Sequence, residues 1–407
     1  MAITAISPQL PVAERLTLHR RVSSNPEAKF YRPELDLLRF CAFLSVFLHH
    51  GLPSIETGHH LGTLAWLFRV FVVTKQAASF GVCLFFLLSS YLITELLQRE
   101  AMKSGGVNVP SFYIRRILRI WPLYFTFIIV GALLGLFLPI FHIENGRLLA
   151  FSLLSGNWYV TFAGCGASSF APLWSISVEE QFYLLWPWVS KLGGRAAVWR
   201  TSVFLLPLSW AAIFWLSRHG VNAGRESWVN SFVQFQFFGL GSLLAISLKG
   251  RAPNFRLTMR CALVAAGLLC WLLAQAVCQV KDFDGPLSPA SLILGYSFIG
   301  IGCISLFLGF LGISPRGIPK PVVYLGKISF GLYVFHMICL EFAWKLQTFQ
   351  ADALGLYGRA FNVALFLLSA AAALLVTIGL AIFSYQFLET PFLRIKKQFS
   401  LVESRSI

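Results

Sequence analysis

Apolar positions along this chain come in long unbroken blocks, not in the alternation of strands. Between residues 37 and 386, stretches dominated by Leu, Phe, Ile, Val and Ala are separated by short polar segments carrying Arg, Lys, Gly and Pro. About 20 mainly apolar residues let a helix cross a bilayer. Ten blocks approach that length, at 37–53, 80–97, 117–141, 173–190, 201–217, 231–248, 261–279, 290–313, 328–346 and 361–386. They predict an all-α polytopic integral membrane protein with about ten transmembrane helices. One more apolar piece, LLAFSLLSGNWYVTF at 148–162, is too short for a crossing and reads as a re-entrant or external interfacial segment.

Composition agrees and excludes an ordinary soluble globule: 57% of the 407 residues are hydrophobic and only 12% are charged. The formal net charge of +16 first suggests nucleic acid. The basic residues, however, sit between the apolar blocks and not along one face. With both termini cytoplasmic, 24 of the 33 Lys and Arg fall on the cytoplasmic side, as the positive-inside rule requires. The surroundings implied are membrane lipids, with no nucleic acid partner. The eight cysteines lie mainly inside apolar blocks without paired spacing, so neither disulfides nor a metal site is expected. Residues 1–30 are polar and basic, with no apolar core for a signal peptide, and read as a flexible cytoplasmic tail. Residues 31–392 then form one transmembrane domain, and 393–407 a cytoplasmic C-terminal tail.

Ionisable groups inside membrane segments are costly, and they mark the candidate chemistry. In LDLLRFCAFLSVFLHHG, Arg39 and His50 are eleven residues apart, which is three turns plus about 20° on a helix. They share a face, with a rise of roughly 16 Å between them. Asp36 falls near that face, and His49 points off it. A snorkelling anchor is the plainer reading of Arg39, and an interhelical hydrogen bond that of His50. In SFYIRRILRIWPLYF, Arg116 and Arg119 face the same way. Planar guanidinium groups suit phosphate oxygens, while Arg115 reads as an anchor. In PLWSISVEEQFYLLWP, Glu179 and Glu180 point about 100° apart, so one can pair with an arginine while the other faces a cavity. A buried structural ion pair is the alternative. GKISFGLYVFHMICLE adds His336 and Glu341 as secondary candidates, and His59 and His60 lack further ligands at metal spacing.

Together and in this order, the stretches resemble the membrane acyltransferase family 3, bacterial O-acyltransferases of sugars. YRPELDLLR with His50 is similar to the family's opening motif, FGVCLFFLLSSYLI to its second-helix motif, SFYIRRILRIWPLYF to its paired-arginine segment and LWSISVEEQFYLLWP to its EEQFYL segment. GKISFGLYVFHM and LETPF complete a resemblance spanning residues 31 to about 392. Leu37 stands where the family usually has Gly, Cys83 where it often has Asp, and Ser90-Tyr91 where it has Gly-Phe. The C-terminal esterase-like domain of some members is missing, so a stand-alone acyltransferase of the bacterial inner membrane is expected.

The resemblance implies a cytoplasmic acyl-CoA donor, most often acetyl-CoA, no metal, and a sugar hydroxyl of a surface or secreted glycan or glycolipid as acceptor. His, with an ordinary pKa of ~6.5, suits the base that such a transfer needs, which points to His50. Arg116 and Arg119 would hold the CoA phosphates, and Arg39 the donor or the developing oxyanion. Glu180, or else Glu179, would orient a catalytic group or hold the sugar, with Trp174, Tyr183 and His336 as further substrate contacts. A proton-coupled transporter or flippase of a glycan precursor would also bury His, Glu and Arg. A scaffold for glycan synthesis would tolerate their loss.

Overall fold

The computed structural model describes residues 30–53, 65–138, 142–164, 169–220, 222–281, 287–354 and 359–402. Residues 1–29 of the expected N-terminal tail, together with His59 and His60, lie outside the described residues. Among those described there is no strand, and the chain is a bundle of helices.

Helix α1, Pro33–Gly51, begins where Pro33 supplies a preset φ and needs no donor, with Glu34 and Asp36 in its first turn. It buries Leu35, Leu38, Ala42, Phe43, Val46 and Phe47 at helical spacing. Helix α2 (Ala65–Ala77) runs through a 3₁₀ turn into α3 (Gly81–Ser104), which ends at Gly105 in the left-handed region. Helix α4 (Val109–Leu134) is capped by the Asn108 side chain, which accepts from the Ser111 amide. Two eight-residue helices come next, α5 (Asn145–Ser152) and α6 (Gly156–Ala163). Each spans only about 12 Å at 1.5 Å per residue, so neither crosses a membrane alone. Helix α7, Trp174–His219, is broken at Gly194, whose φ of 54° and ψ of −150° leave the helical region.

The second half comprises α8 (Ala223–Val229), α9 (Ser231–Leu248), α10 (Leu257–Ala276) and α11 (Pro289–Phe310). It continues with α12 (Lys320–Lys327), α13 (Ser329–Leu354) and α14 (Arg359–Ser384). A single π-helical turn, Tyr385–Glu389, leads into α15, Thr390–Lys397. The helix therefore continues beyond residue 393, where the sequence suggested a tail, and Leu393 is buried.

Seven helical runs among the described residues are long and apolar enough to cross a membrane, or eight if the bent pair Lys320–Lys327 and Ser329–Gln347, which meet at 76°, is one span. This falls short of the ten expected from the sequence for two physical reasons. Glu34, Asp36 and Arg39 make α1 too charged by composition, and Ala171–His219 is one continuous run although Gly194 divides it into two lengths. The protein is a polytopic membrane protein in which the run containing α3, together with α9 and α11, forms the buried centre. Those three are 78%, 67% and 56% buried, against 22–33% for the other runs. Leu184, Leu185, Phe204, Trp215, Leu375 and Val376 stay exposed on the perimeter helices, as lipid-facing residues do.

Close backbone approach fixes α1 in this bundle. A Cβ on Gly326 would overlap the Asp36 carbonyl oxygen, so only glycine lets α12 press against the turn that carries Asp36 and Arg39.

Candidate active site

A cavity of ≈ 150 Å³ opens where α1, α3, α4, α7, α13 and α15 converge. Five cationic side chains line it: Arg32 just before α1, Arg39 from α1, Arg116 and Arg119 from α4, and Lys396 from α15; of these Arg32 is paired outside the lining, with Glu34 at 3.4 Å. Among the described residues two carboxylates line it with them, Asp36 and Glu179.

Arg39 donates from Nη1 to Asp36 Oδ1 at 2.9 Å, one turn earlier on its own helix. Glu179 is not ion-paired among the described residues. It accepts instead from the Ser89 hydroxyl and from the Tyr183 hydroxyl on the next turn of α7. The Arg116 guanidinium lies 5.8 Å from the Phe112 ring centroid and 5.6 Å from that of Tyr183. Its Nε is buried without a hydrogen-bond partner among the described residues. No salt bridge joins Arg116, Arg119 or Lys396 to a carboxylate there. Like charges gathered in a low-dielectric interior repel one another more strongly than in water, and an anion placed among them would relieve that repulsion.

Glu180 turns away from this group. Its Oε2 accepts from Trp121 Nε1 at 3.2 Å, and its Oε1 is buried without a partner among the described residues. The structure thus brings Glu179, and not Glu180, together with the arginines. The reason is the 100° step between neighbours, which aims one carboxylate at α3 and the other at α4. Trp174 packs against Phe86 and Trp228 and does not line the cavity, whereas Tyr183 does.

At the far end of α1, the His49 and His50 rings touch edge to face, centroids 4.8 Å apart, but each reaches a different partner. His49 Nδ1 is 2.9 Å from the Lys75 carbonyl oxygen on α2. His50 faces His336 on α13, with ring centroids 5.4 Å apart. His336 Nδ1 lies 2.5 Å from the Tyr333 carbonyl oxygen, an arrangement that requires Nδ1–H to donate and leaves Nε2 as the basic nitrogen. That Nε2 is buried and has no partner among the described residues. Neither histidine lines the cavity. Tyr333 stands between them and it, its ring 5.3 Å from His336 and its hydroxyl 2.7 Å from Ser175 Oγ and 3.1 Å from the Pro172 carbonyl oxygen, to which it donates.

The order of these elements along the chain, arginine and histidine on the first helix, paired arginines on α4, a carboxylate pair on α7 and a histidine on α13, is matched by a known family. Residues 32–385 match the acyltransferase domain of acyltransferase family 3. The chain belongs to that family. Among curated relatives it is 25% identical over 393 residues to "Putative O-acetyltransferase SAS0844" of Staphylococcus aureus, covering 89% of this chain and 57% of the relative. It is 24% identical over 380 residues to O-acetyltransferase OatA of Staphylococcus aureus, with the same coverage of 89% and 57%. To peptidoglycan O-acetyltransferase OatA of Listeria monocytogenes it is 29% identical over 205 residues, covering 43% of this chain and 29% of that one. The chain thus spans little more than half the length of the first two. No solved structure matches it.

Sequence reasoning passed over Ser89 and Tyr333 within the family match and Lys396 beyond it. Ser89 sits in the second-helix motif, FGVCLFFLLSSYLI, whose position in the family order was its signal. Lys396 lies beyond the family match, and its sequence signal is indistinguishable from a topology anchor. Cys83, where the family often has Asp, is buried outside the cavity with Sγ 3.9 Å from Gln234 Oε1. Arg115 pairs with Glu100 at 2.6 Å, consistent with anchoring. Among the described residues, no group of three or more His, Cys, Asp or Glu side chains is placed to hold a metal.

Proposed function

We propose that this chain is a membrane O-acyltransferase of the bacterial inner membrane. It would move an acyl group, acetyl in the first instance, from acyl-CoA to a hydroxyl of a sugar in a surface or secreted glycan or glycolipid. One observation carries the reading: among the described residues the cavity is lined by Arg32, Arg39, Arg116, Arg119 and Lys396 against two carboxylates, with Arg116 Nε buried and unpartnered. A phosphorylated donor supplies the missing negative charge.

In this reading the donor's phosphates lie among the arginines and its acyl end points along α1 toward His50. His50 takes the proton from the acceptor hydroxyl as that oxygen attacks the thioester carbonyl. The tetrahedral oxyanion then collapses, the C–S bond breaks, and the departing thiolate takes a proton from the imidazolium. His336, its Nδ1–H held by the Tyr333 carbonyl, packs against His50 and steadies that ring. Glu179 holds the Ser89 and Tyr183 hydroxyls at the cavity wall and keeps both pointing into the donor site.

The test is release of free CoA thiol from acetyl-CoA by purified protein in detergent, with and without glycan fragments. Acceptor-dependent release supports the reading, whereas a transporter or flippase gives none. Mass spectrometry of glycans from a deletion strain then names the acyl group and its carrier by the lost mass.

A further inference from the structure

We infer that Lys396, on a helix beyond the family match, is a donor-binding residue and holds the phosphate nearest the mouth of the cavity, the ribose 3′-phosphate of CoA. The inference rests on the acyl-CoA reading above and adds which residue meets which phosphate.

Lys396 is placed by structure and not by chance of a trailing segment. The π-helical turn Tyr385–Glu389 inserts one extra residue, which rotates α15 by about 100° relative to α14. Thr390 Oγ1 donates to the Tyr385 carbonyl at 2.6 Å and secures that turn. Beyond the helix the chain is tied down twice. Arg115 Nη1 donates to the Phe399 carbonyl at 2.8 Å, and Lys103 Nζ to the Leu401 carbonyl at 3.1 Å. On α15 itself the other basic residues, Arg394 and Lys397, are exposed, while Lys396 turns inward with buried Leu393 one turn before it.

Its position along the cavity is set by a second, smaller void of ≈ 20 Å³ on the side of Arg115 and Ser400. Lys396 and Arg116 border both voids, whereas Arg39 and Arg119 border only the main one. Lys396 and Arg116 therefore mark the end of the cavity near the start of α4, and Arg39 and Arg119 lie further in. An acyl-CoA that reaches toward His50 with its thioester leaves its 3′-phosphate at that outer end. A lysine suits it, because a phosphate monoester on a flexible arm is met well by a compact, mobile ammonium.

Dephospho-CoA, which lacks only the 3′-phosphate, isolates this contact. Dissociation constants for CoA and dephospho-CoA are measured on purified full-length protein in detergent, for the unsubstituted chain and for Lys396→Ala, Lys396→Arg and Lys397→Ala. Losing a charge-assisted hydrogen bond predicts that Lys396→Ala weakens CoA by about tenfold or more and changes dephospho-CoA by less than twofold. Lys396→Arg should stay within about threefold of the unsubstituted protein for CoA, and Lys397→Ala should match it, since that side chain faces out. Unchanged CoA binding in Lys396→Ala overturns the assignment. So does an equal loss for both ligands, which would mean a damaged site, or an equal loss in Lys397→Ala, which would mean a diffuse charge effect. If the unsubstituted protein binds neither ligand, the donor reading itself falls and this assignment with it.

Discussion

His50 and His336 come from opposite ends of the chain and meet with ring centroids 5.4 Å apart, while Arg39, on the same helix as His50, lines a cavity that neither histidine borders. One helix thus joins a cavity rich in cationic side chains to a histidine pair, and the two ends can be tested separately.

Arg119→Lys keeps the charge and loses the planar fork, so it should raise KM for acyl-CoA severalfold with little change in kcat at saturating donor. His50→Ala should do the reverse and lower kcat by about 10²–10⁴-fold. A donor titration on reconstituted protein reads both. Should Arg119→Lys match wild type while Arg119→Ala fails to insert, Arg119 is a topology anchor.

The neighbouring carboxylates give a sharp contrast. Glu179→Gln disturbs the Ser89 and Tyr183 hydroxyls at the cavity wall and should cut kcat/KM by at least tenfold. Glu180→Gln retains an acceptor for Trp121 and should cost less than about threefold. The reverse ranking in steady-state assays, with protein levels matched, would show that the carboxylate facing α4 is the one that matters.

Gly326→Ala should move α1. The added methyl meets the Asp36 carbonyl oxygen, and overpacking of this kind costs roughly 1–3 kcal/mol or more. The expected result is a lower melting temperature by size-exclusion thermal shift and weaker donor binding, because Asp36 positions Arg39. Gly317→Ala, at a site with nothing within 4 Å of the added carbon, should change neither.

Cysteines introduced at Ser104 and His219 in a cysteine-free background should label from opposite sides of the membrane, with Ser104 cytoplasmic. A cysteine at Arg195 should share the side of Ser104. Labelling of residue 195 from outside would mean that the short helices α5 and α6 together make a crossing.

The helical class was legible because apolar blocks of bilayer length admit little else, whereas the face that periodicity gives Arg39 and His50 in common did not tell that Arg39 alone of the two lines the cavity. The number of spans was harder to read, since charge on α1 and the break at Gly194 blur where one span stops. Which glutamate meets the arginines was not legible either. Spacing gives the angle between Glu179 and Glu180 but not the direction of α3, which supplies Ser89. Lys396 was hidden because, without the π-helical turn, a basic residue after the last apolar block looks like any other cytoplasmic charge.

The cavity wall uses Tyr31 and Arg39 from near the start of the chain and Lys396 from near its end. Synthesis runs from the N-terminus, so the first helix waits in the bilayer through the insertion of every later one before its site has a fourth wall. A ribosome-bound intermediate therefore holds Arg39, Arg116 and Arg119 before α15 arrives to complete the cavity they line.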